Sequence, residues 1–542
     1  MDDEENQAPQ PENQAPPRRE NPSRLILQAT DFISVKQNTK WRHSILLGFQ
    51  HFLVMLGTTA LIPSIIVPIL GGGHEEKARM IQTLLFVSGL STLLQSWFGT
   101  RLPVVMGGSY AFLAPAISAS HRFRTEEPHL RFTYCMRAIQ GALLVASVFQ
   151  ILIAVFLMPT FGRLLSPLTT IPLVTLVGLG MFVYGFPQLG TCAVVGVPTL
   201  LVLFFISQCL PHIVSISREE PFNRFRFLRY WRLKPNQIQR YALLFLVPFA
   251  WPFAAVLSVA YGHTHSICRV HLSGLFSGAH GLWIPNPFQW GSPTLDVGDA
   301  VAMMMAVLVA TFESTGTFLM ASRYGLATPP PPFVLRRGAI CQGIGTLLGG
   351  VFGVGTGSTA LVENAGLLGL TRYGSRRAVQ IAAAIMILFS ILGKFAAFLA
   401  SLSLPLVGAV YCLLYSYVVS GGMSFIQFCN PNSIRVHFIV GSSLFLGIAV
   451  PSYWHESLLP SGVGSSWWSC TIQVFCSSSA LGAAAAIAMD YIVTLGDQSL
   501  RVDSGRDWWA PLRNNADSDT ASFYAFPKKV VNLLPSLKLE GE

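Results

Sequence analysis

Residues 351–377, VFGVGTGSTALVENAGLLGLTRYGSRR, have the length of a membrane helix but not the composition of one. The stretch contains six glycines, several hydroxyls and one carboxylate, Glu363, and it ends in a basic group. Glycines at this density interrupt a helix, and backbone groups that lose their partners are costly in lipid. The sequence therefore predicts that this segment lies inside protein or lines a wet cavity at membrane depth.

A second interrupted segment lies earlier in the chain, at residues 101–116, RLPVVMGGSYAFLAPA. It is also short and apolar, and two glycines and two prolines break it. Paired hydrophobic segments of this kind, at corresponding positions of two halves, are typical of the binding site of a secondary transporter. The pair predicts that the chain is built from two related halves.

The composition is that of a polytopic membrane protein. Of its 542 residues, 51% are hydrophobic and only 11% are charged, whereas soluble domains have about 25% charged residues. The net charge of +10 comes mainly from short loops and tails, so it indicates membrane topology and not binding of nucleic acid.

Fourteen hydrophobic segments are long enough to cross the bilayer if the two interrupted segments are counted, which makes these the third and the tenth. Seven segments per half is an odd number, so the second half is inverted relative to the first. We therefore predict an all-α membrane protein with a 7+7 inverted repeat. Its parts are a disordered cytoplasmic N-terminal tail (1–40), a first repeat (41–260), an extracellular loop (261–298), a second repeat (299–494) and a cytoplasmic C-terminal tail (495–542).

Loop charges favour cytoplasmic termini, because most Lys and Arg residues then lie on the inner side. The strongest contribution is the basic loop 222–240, which could contact anionic lipid head groups or be a solvated linker. The outer loop 121–137, with four arginines, is the exception.

Glu313 lies near the middle of the eighth segment, in AVLVATFESTGTFLMAS. An ionisable residue at this depth is costly and usually functional, although a helix-packing carboxylate bonded to neighbouring hydroxyls is the alternative. Thr317 lies four residues further along, on the same helical face. Both are candidates for contact with a substrate.

Further candidate residues come from the two interrupted segments and from the first segment. Glu363 and Asn364 follow the glycine-rich break, where helix N-termini could bind a flat heterocycle together with the two carboxylates, unless the glycines serve only close packing. Tyr110 and Phe112 could stack on a planar ligand or simply pack. His51, next to Gln50, could support Glu313 or be a structural histidine.

These residues resemble blocks of the nucleobase-ascorbate transporter family, the xanthine/uracil permease-like proteins, and most of all its plant members. ENAGLLGLTR, residues 363–372, matches the family signature of Gln, Glu or Pro, then Asn, any residue, Gly, four residues of any kind, Thr, and Arg, Lys or Gly. The specified positions are Glu363, Asn364, Gly366, Thr371 and Arg372. Gln50-His51, GGSYAFLAPA, FESTG and GSRR resemble further family blocks, in order along nearly the whole hydrophobic chain.

The resemblance implies a core domain (segments 1–4 and 8–11) and a gate domain (5–7 and 12–14), a homodimer, and an elevator-like movement of the core. It implies that Glu313 hydrogen-bonds the base and that Glu363 contacts the other edge of the base. It also implies that the backbone at Phe112 contacts the ligand, and that Gln50-His51 corresponds to the Gln-His pair that family members have in the first segment. The expected substrate-binding residues are Glu313, Glu363, Asn364, Phe112, Tyr110, Thr317 and Gly366, and the expected proton-coupling or supporting residues are Glu313, Glu363, His51 and Gln50.

One departure from the family bears on the coupling ion. Animal ascorbate transporters and fungal purine members of the family have an acidic residue where this chain has Thr317. A hard cation needs oxygen ligands that usually include negative charge, so this departure weakens the case for sodium. We therefore predict a plasma-membrane symporter, not an enzyme, that takes up nucleobases (xanthine or uric acid, uracil, adenine, guanine) with protons, and that has no metal or other cofactor. The alternatives are sodium-coupled ascorbate uptake and an anion transporter of the same fold.

Overall fold

The computed structural model describes residues 33–35, 37, 40–123, 125–219, 235–246, 252–253, 256, 282–392, 394, 404–454, 467–496, 502–507, 509 and 524–525. Within these residues, seven helices are long and apolar enough to cross a membrane. The protein is therefore a multi-pass membrane protein. Most of the predicted seventh segment, the end of the eleventh and most of the basic loop 222–240 lie outside the described residues.

The first half of the chain forms ten helices and one strand among the described residues. They are α1 (Trp41–Leu70), α2 (His74–Trp97), β1 (Met106–Gly108), α3 (Leu113–Ser120), α4 (Pro128–Phe156), α5 (Met158–Leu164), α6 (Pro167–Gly180), α7 (Phe182–Gly190), α8 (Ala193–Phe204), α9 (Leu210–Glu219) and α10 (Pro235–Arg240). A 3-10 turn, Tyr110–Phe112, joins β1 to α3.

The second half has eight helices and one strand in the same described residues. They are α11 (Val297–Tyr324), α12 (Pro332–Phe352), β2 (Ser358–Ala360), α13 (Val362–Thr371), α14 (Arg376–Ile391), α15 (Leu404–Met423), α16 (Ile434–Tyr453), α17 (Trp467–Phe475) and α18 (Ser478–Gly496). A 3-10 turn, Ser424–Phe428, follows α15.

The last of the fourteen predicted segments is residues 471–494, but the structure has two helices, α17 and α18, across this stretch. The break falls in the serine run that follows Cys476, where the Ser477 N–H donates to the Val474 carbonyl at 3.1 Å in a tightened last turn. The Ser477 carbonyl then accepts from Leu481 N–H at 3.0 Å and starts α18.

The two interrupted segments meet as an antiparallel ribbon. Strands β1 and β2 pair with Met106 opposite Ala360 and Gly108 opposite Ser358. Further bonds extend the ribbon at both ends, from Leu361 N–H to the Val105 carbonyl at 2.9 Å and from Ser109 N–H to the Gly357 carbonyl at 3.1 Å. The ribbon thus supplies the hydrogen bonds that the interrupted helices lack.

The helices pack in two groups. The first group contains α1–α5 and α11–α14 with the ribbon, and its main contacts are those of α12 with α4 and of α14 with α1 and α2. The second group contains α6–α8, α15, α16 and α18, and α15 packs against α6, α7 and α8. The groups meet where α13 lies against α15 and α11 lies against α6, and α17 packs on α11.

Polar contacts also join the two groups at the C-terminal end of α11. The Arg323 guanidinium donates to the Ser424 hydroxyl at 2.8 Å, and the Tyr324 hydroxyl donates to the Tyr417 carbonyl at 2.7 Å. These contacts lie about three turns along α11 from Glu313, since each turn has about 3.6 residues.

Candidate functional site

Two buried carboxylates lie beside the ribbon. Glu363 is in the first turn of α13, directly after β2, and Glu313 is in the middle of α11; their exposed fractions are 2% and 8%. The Ser314 hydroxyl accepts from Ala360 N–H at 3.0 Å, which fixes the end of β2 to α11. The two carboxylates are consequently close enough to interact electrostatically.

Glu363 is held by hydroxyls from two other helices. The Thr58 hydroxyl on α1 donates to the Glu363 carboxylate, and the Tyr411 hydroxyl on α15 lies 2.7 Å from Thr58 Oγ1. The Tyr411 hydroxyl also lies 3.0 Å from the Val54 carbonyl, to which it can donate. Sequence reasoning missed Thr58 and Tyr411, although Thr58 lies seven residues after His51 and so on the same face of α1.

Several buried polar atoms on α1 and α13 have no hydrogen-bond partner among the described residues. They are Nδ1 of His51, both amide atoms of Gln50 and Oδ1 of Asn364, and these residues are at most 2% exposed. Asn364 is fixed by its other amide atom, since Nδ2 donates to the His51 carbonyl at 3.3 Å. Buried polar atoms are nearly always paired in proteins, so this cluster has the donors and acceptors to bind a polar ligand.

Aromatic side chains complete the surroundings. Tyr110, at the start of the 3-10 turn, stacks on Tyr184 of α7 with ring centroids 3.8 Å apart and planes 16° from parallel. The hydroxyl of Tyr415 is buried and has no hydrogen-bond partner among the described residues. Phe112 is fully buried, and the backbone of Gly357 lies directly against its ring.

Other residues that the sequence predicted for the site make contacts within or at the end of a helix, or pack against a neighbouring helix. The Thr317 hydroxyl donates to the Glu313 backbone carbonyl at 2.9 Å, within its own helix. Gly366 lies against the backbone of Leu414 on α15. At the end of α13, the Thr371 hydroxyl donates to the Leu367 carbonyl at 2.8 Å, and Arg372 has a φ of 53°, the left-handed conformation of a helix C-cap.

The signature therefore divides by position. Its first two residues, Glu363 and Asn364, contribute side chains to the polar cluster. Its last two, Thr371 and Arg372, end the helix that carries them. The sequence pattern contains no signal that separates these two roles.

The sequence comparisons with known proteins agree on one family. The model of the xanthine/uracil permeases, described as the Permease family, matches residues 42–456. Nucleobase-ascorbate transporter 4 of Arabidopsis thaliana is 48% identical over 93% of this chain and 95% of its own length. Nucleobase-ascorbate transporter 6 of the same plant is 45% identical over 92% of this chain and 93% of its own length.

Solved structures of lower similarity include the inward-facing murine anion transporter Slc26a9, which is 11% identical over 85% of this chain and 69% of its own, with a TM-score of 0.43. The transmembrane domain of the cyanobacterial bicarbonate transporter BicA is 13% identical over 76% of this chain and 96% of its own, with a TM-score of 0.38. The relatives of high identity are named as transporters and not as enzymes. The chain belongs to the nucleobase-ascorbate transporter family of xanthine/uracil permeases.

Proposed function

We propose that this protein takes up nucleobases together with protons. The observation that carries the proposal is the pair of buried carboxylates, Glu313 and Glu363, beside buried polar atoms with no partner among the described residues. A base such as xanthine or uracil has N–H donors and carbonyl acceptors along its edges. Carboxylates would accept from the N–H groups, while the amide groups of Asn364 and Gln50 could pair with the remaining donors and acceptors.

The carboxylates also suit proton coupling. An acidic side chain in a dry site has a stable neutral form, so it can bind a proton on one side of a membrane and release it on the other. Position 317 has a hydroxyl that already donates within its own helix, where a carboxylate would favour a hard cation. These features support protons over sodium as the coupling ion.

The two helix groups suggest how substrate crosses the membrane. We take the first helix group as a mobile core and the second as a gate. Each group contains helices from both halves of a fourteen-segment inverted repeat, whose boundaries are those predicted from the sequence. The core would move past the gate within a homodimer, in an elevator-like cycle. The Arg323–Ser424 contact is one that such a movement would have to break.

Orientation in the plasma membrane follows the positive-inside pattern, with both termini cytoplasmic. One further observation supports it. Cys192, between α7 and α8, is disulfide-bonded, and disulfides persist on the oxidising, non-cytoplasmic side of a membrane. Cytoplasmic termini put the loop that contains Cys192 on the outer side.

The test is uptake of radiolabelled xanthine, uric acid, uracil, adenine, guanine and ascorbate in yeast lacking its own nucleobase transporters, at several external pH values and with sodium replaced by potassium. We expect nucleobase uptake that rises as external pH falls and does not need sodium. Glu313→Gln should lower uptake per surface copy by about 10- to 100-fold, since hydrogen bonds to charged groups contribute about 1.5–3 kcal/mol.

Glu75→Gln is the matched control, because Glu75 is an exposed carboxylate on α2 that pairs only with the neighbouring Arg79 in the described contacts. It should transport like the wild type. Sodium-dependent ascorbate uptake, or full nucleobase uptake by Glu313→Gln, would contradict the proposal.

A further inference from the structure

We propose that Tyr184 is a specificity-determining residue and that a planar base inserts between its ring and that of Tyr110. This inference rests on the proposed function, since it names the surface that selects flat heteroaromatic substrates at the same site. Tyr184 comes from α7, which contains none of the motifs that mark the rest of the site.

The two rings reach the site from different helix groups. Tyr110 follows β1, and Ser109 fixes its turn by accepting from Ala111 N–H at 3.2 Å. Tyr184 lies on α7, which packs on α15. The stacked pair is therefore a contact across the boundary between the two groups, and it opens or closes with their relative movement.

The pair lies within electrostatic range of the two carboxylates. Tyr110 is close enough to Glu363 to interact electrostatically, and Tyr184 is similarly close to Glu313. The stacked rings and the two carboxylates thus belong to one buried region, where a ligand could contact both.

The separation of the rings explains the selectivity that we assign to them. At 3.8 Å between centroids the rings are in direct contact. A flat base between them needs one further van der Waals layer of about 3.5–4 Å, so the two rings must move apart by that distance to admit it. A non-aromatic ring with out-of-plane substituents, as in ascorbate, needs a wider gap and gains less stacking.

The experiment compares Tyr184→Leu, which removes the ring, with Tyr184→Phe, which keeps it, by initial uptake rates normalised to surface copies. Loss of one base–aromatic stack should raise KM for the transported base about 5- to 100-fold in Tyr184→Leu. Tyr184→Phe should stay within about twofold of the wild type, since the stacking face is kept. Tyr184→Met, which is flexible and has no ring, replaces Tyr184→Leu if that variant does not reach the surface.

Phe182→Leu is the control, because Phe182 is a 61% exposed aromatic on the same helix. It should leave KM unchanged. An unchanged KM for nucleobase in the ringless variant would overturn the role of Tyr184 while leaving the proposed function intact. A wild type that takes up no nucleobase would overturn both.

Discussion

Gly366 offers a sharp test of how the first and second helix groups fit together. A Cβ at this position would lie 2.9 Å from the Leu414 carbonyl carbon, 3.1 Å from its Cα and closer still to its carbonyl oxygen. All three are backbone atoms of α15, so no side-chain rotation relieves the contact. Gly366→Ala must push α13 away from α15.

Overpacking of this kind costs about 1–3 kcal/mol, and replacing glycine in a helix returns about 1 kcal/mol of helix propensity. We therefore expect a net loss of stability of up to about 2 kcal/mol, measured as a lower melting temperature of the purified protein in detergent. Because α13 carries Glu363 and α15 carries Tyr411, uptake should fall as well.

Gly441→Ala on α16 is the matched control, since no heavy atom lies within 4 Å of a Cβ there. It should melt at the wild-type temperature or above it. If Gly366→Ala melts and transports like the wild type, the close approach of the two helices is not required, and the reasoning from packing is refuted.

Two further predictions concern the polar contacts made by the C-terminal part of the chain. Asp490 is fully buried and pairs with Arg435 and Arg506, both at 2.9 Å. Asp490→Asn should lower the free energy of unfolding by about 3 kcal/mol, which is the low end for a broken buried ion pair because both guanidinium groups are partly exposed. A wild-type melting curve for this variant would contradict the prediction. Tyr524 is fully buried, and its hydroxyl donates to the Thr328 carbonyl at 2.5 Å. Tyr524→Phe loses this hydrogen bond and should lower stability by about 1 kcal/mol, whereas Tyr524→Ala also loses the packed ring and should lower it by more. Equal melting temperatures for the two variants would show that the ring is not packed.

The sequence predicted the family, the membrane class and the transport function, and the comparisons confirm these. It also predicted interruptions at residues 101–116 and 351–377, because glycine and proline report backbone conformation locally. It did not predict that both interruptions are strands of one ribbon. Strand pairing between residues about 250 positions apart leaves no local periodicity in either segment.

The neighbours of the carboxylates were harder to predict for a similar reason. Glu313 and Glu363 stand out because an acidic residue in an apolar segment is rare. Thr58, Tyr184 and Tyr411 do not stand out, since hydroxyls and aromatic rings are common in membrane helices. Only the packing of α1 and α15 against α13, and of α7 against α15, brings them to the site. That packing depends on small contacts such as Gly366 against Leu414.

The contacts of Glu363 also bear on how protonation could be linked to movement. Thr58, which donates to the carboxylate, lies in the first helix group, whereas Tyr411, 2.7 Å from Thr58 Oγ1, lies in the second. A displacement of one group past the other would separate these two hydroxyls. Thr58 would then lose its contact with the Tyr411 hydroxyl, and the strength of the hydrogen bond that it donates to Glu363 would change. Since hydrogen bonds to the charged form of a carboxyl favour that form, movement between the groups would alter the proton affinity of Glu363, and proton binding would in turn shift the balance between the two positions.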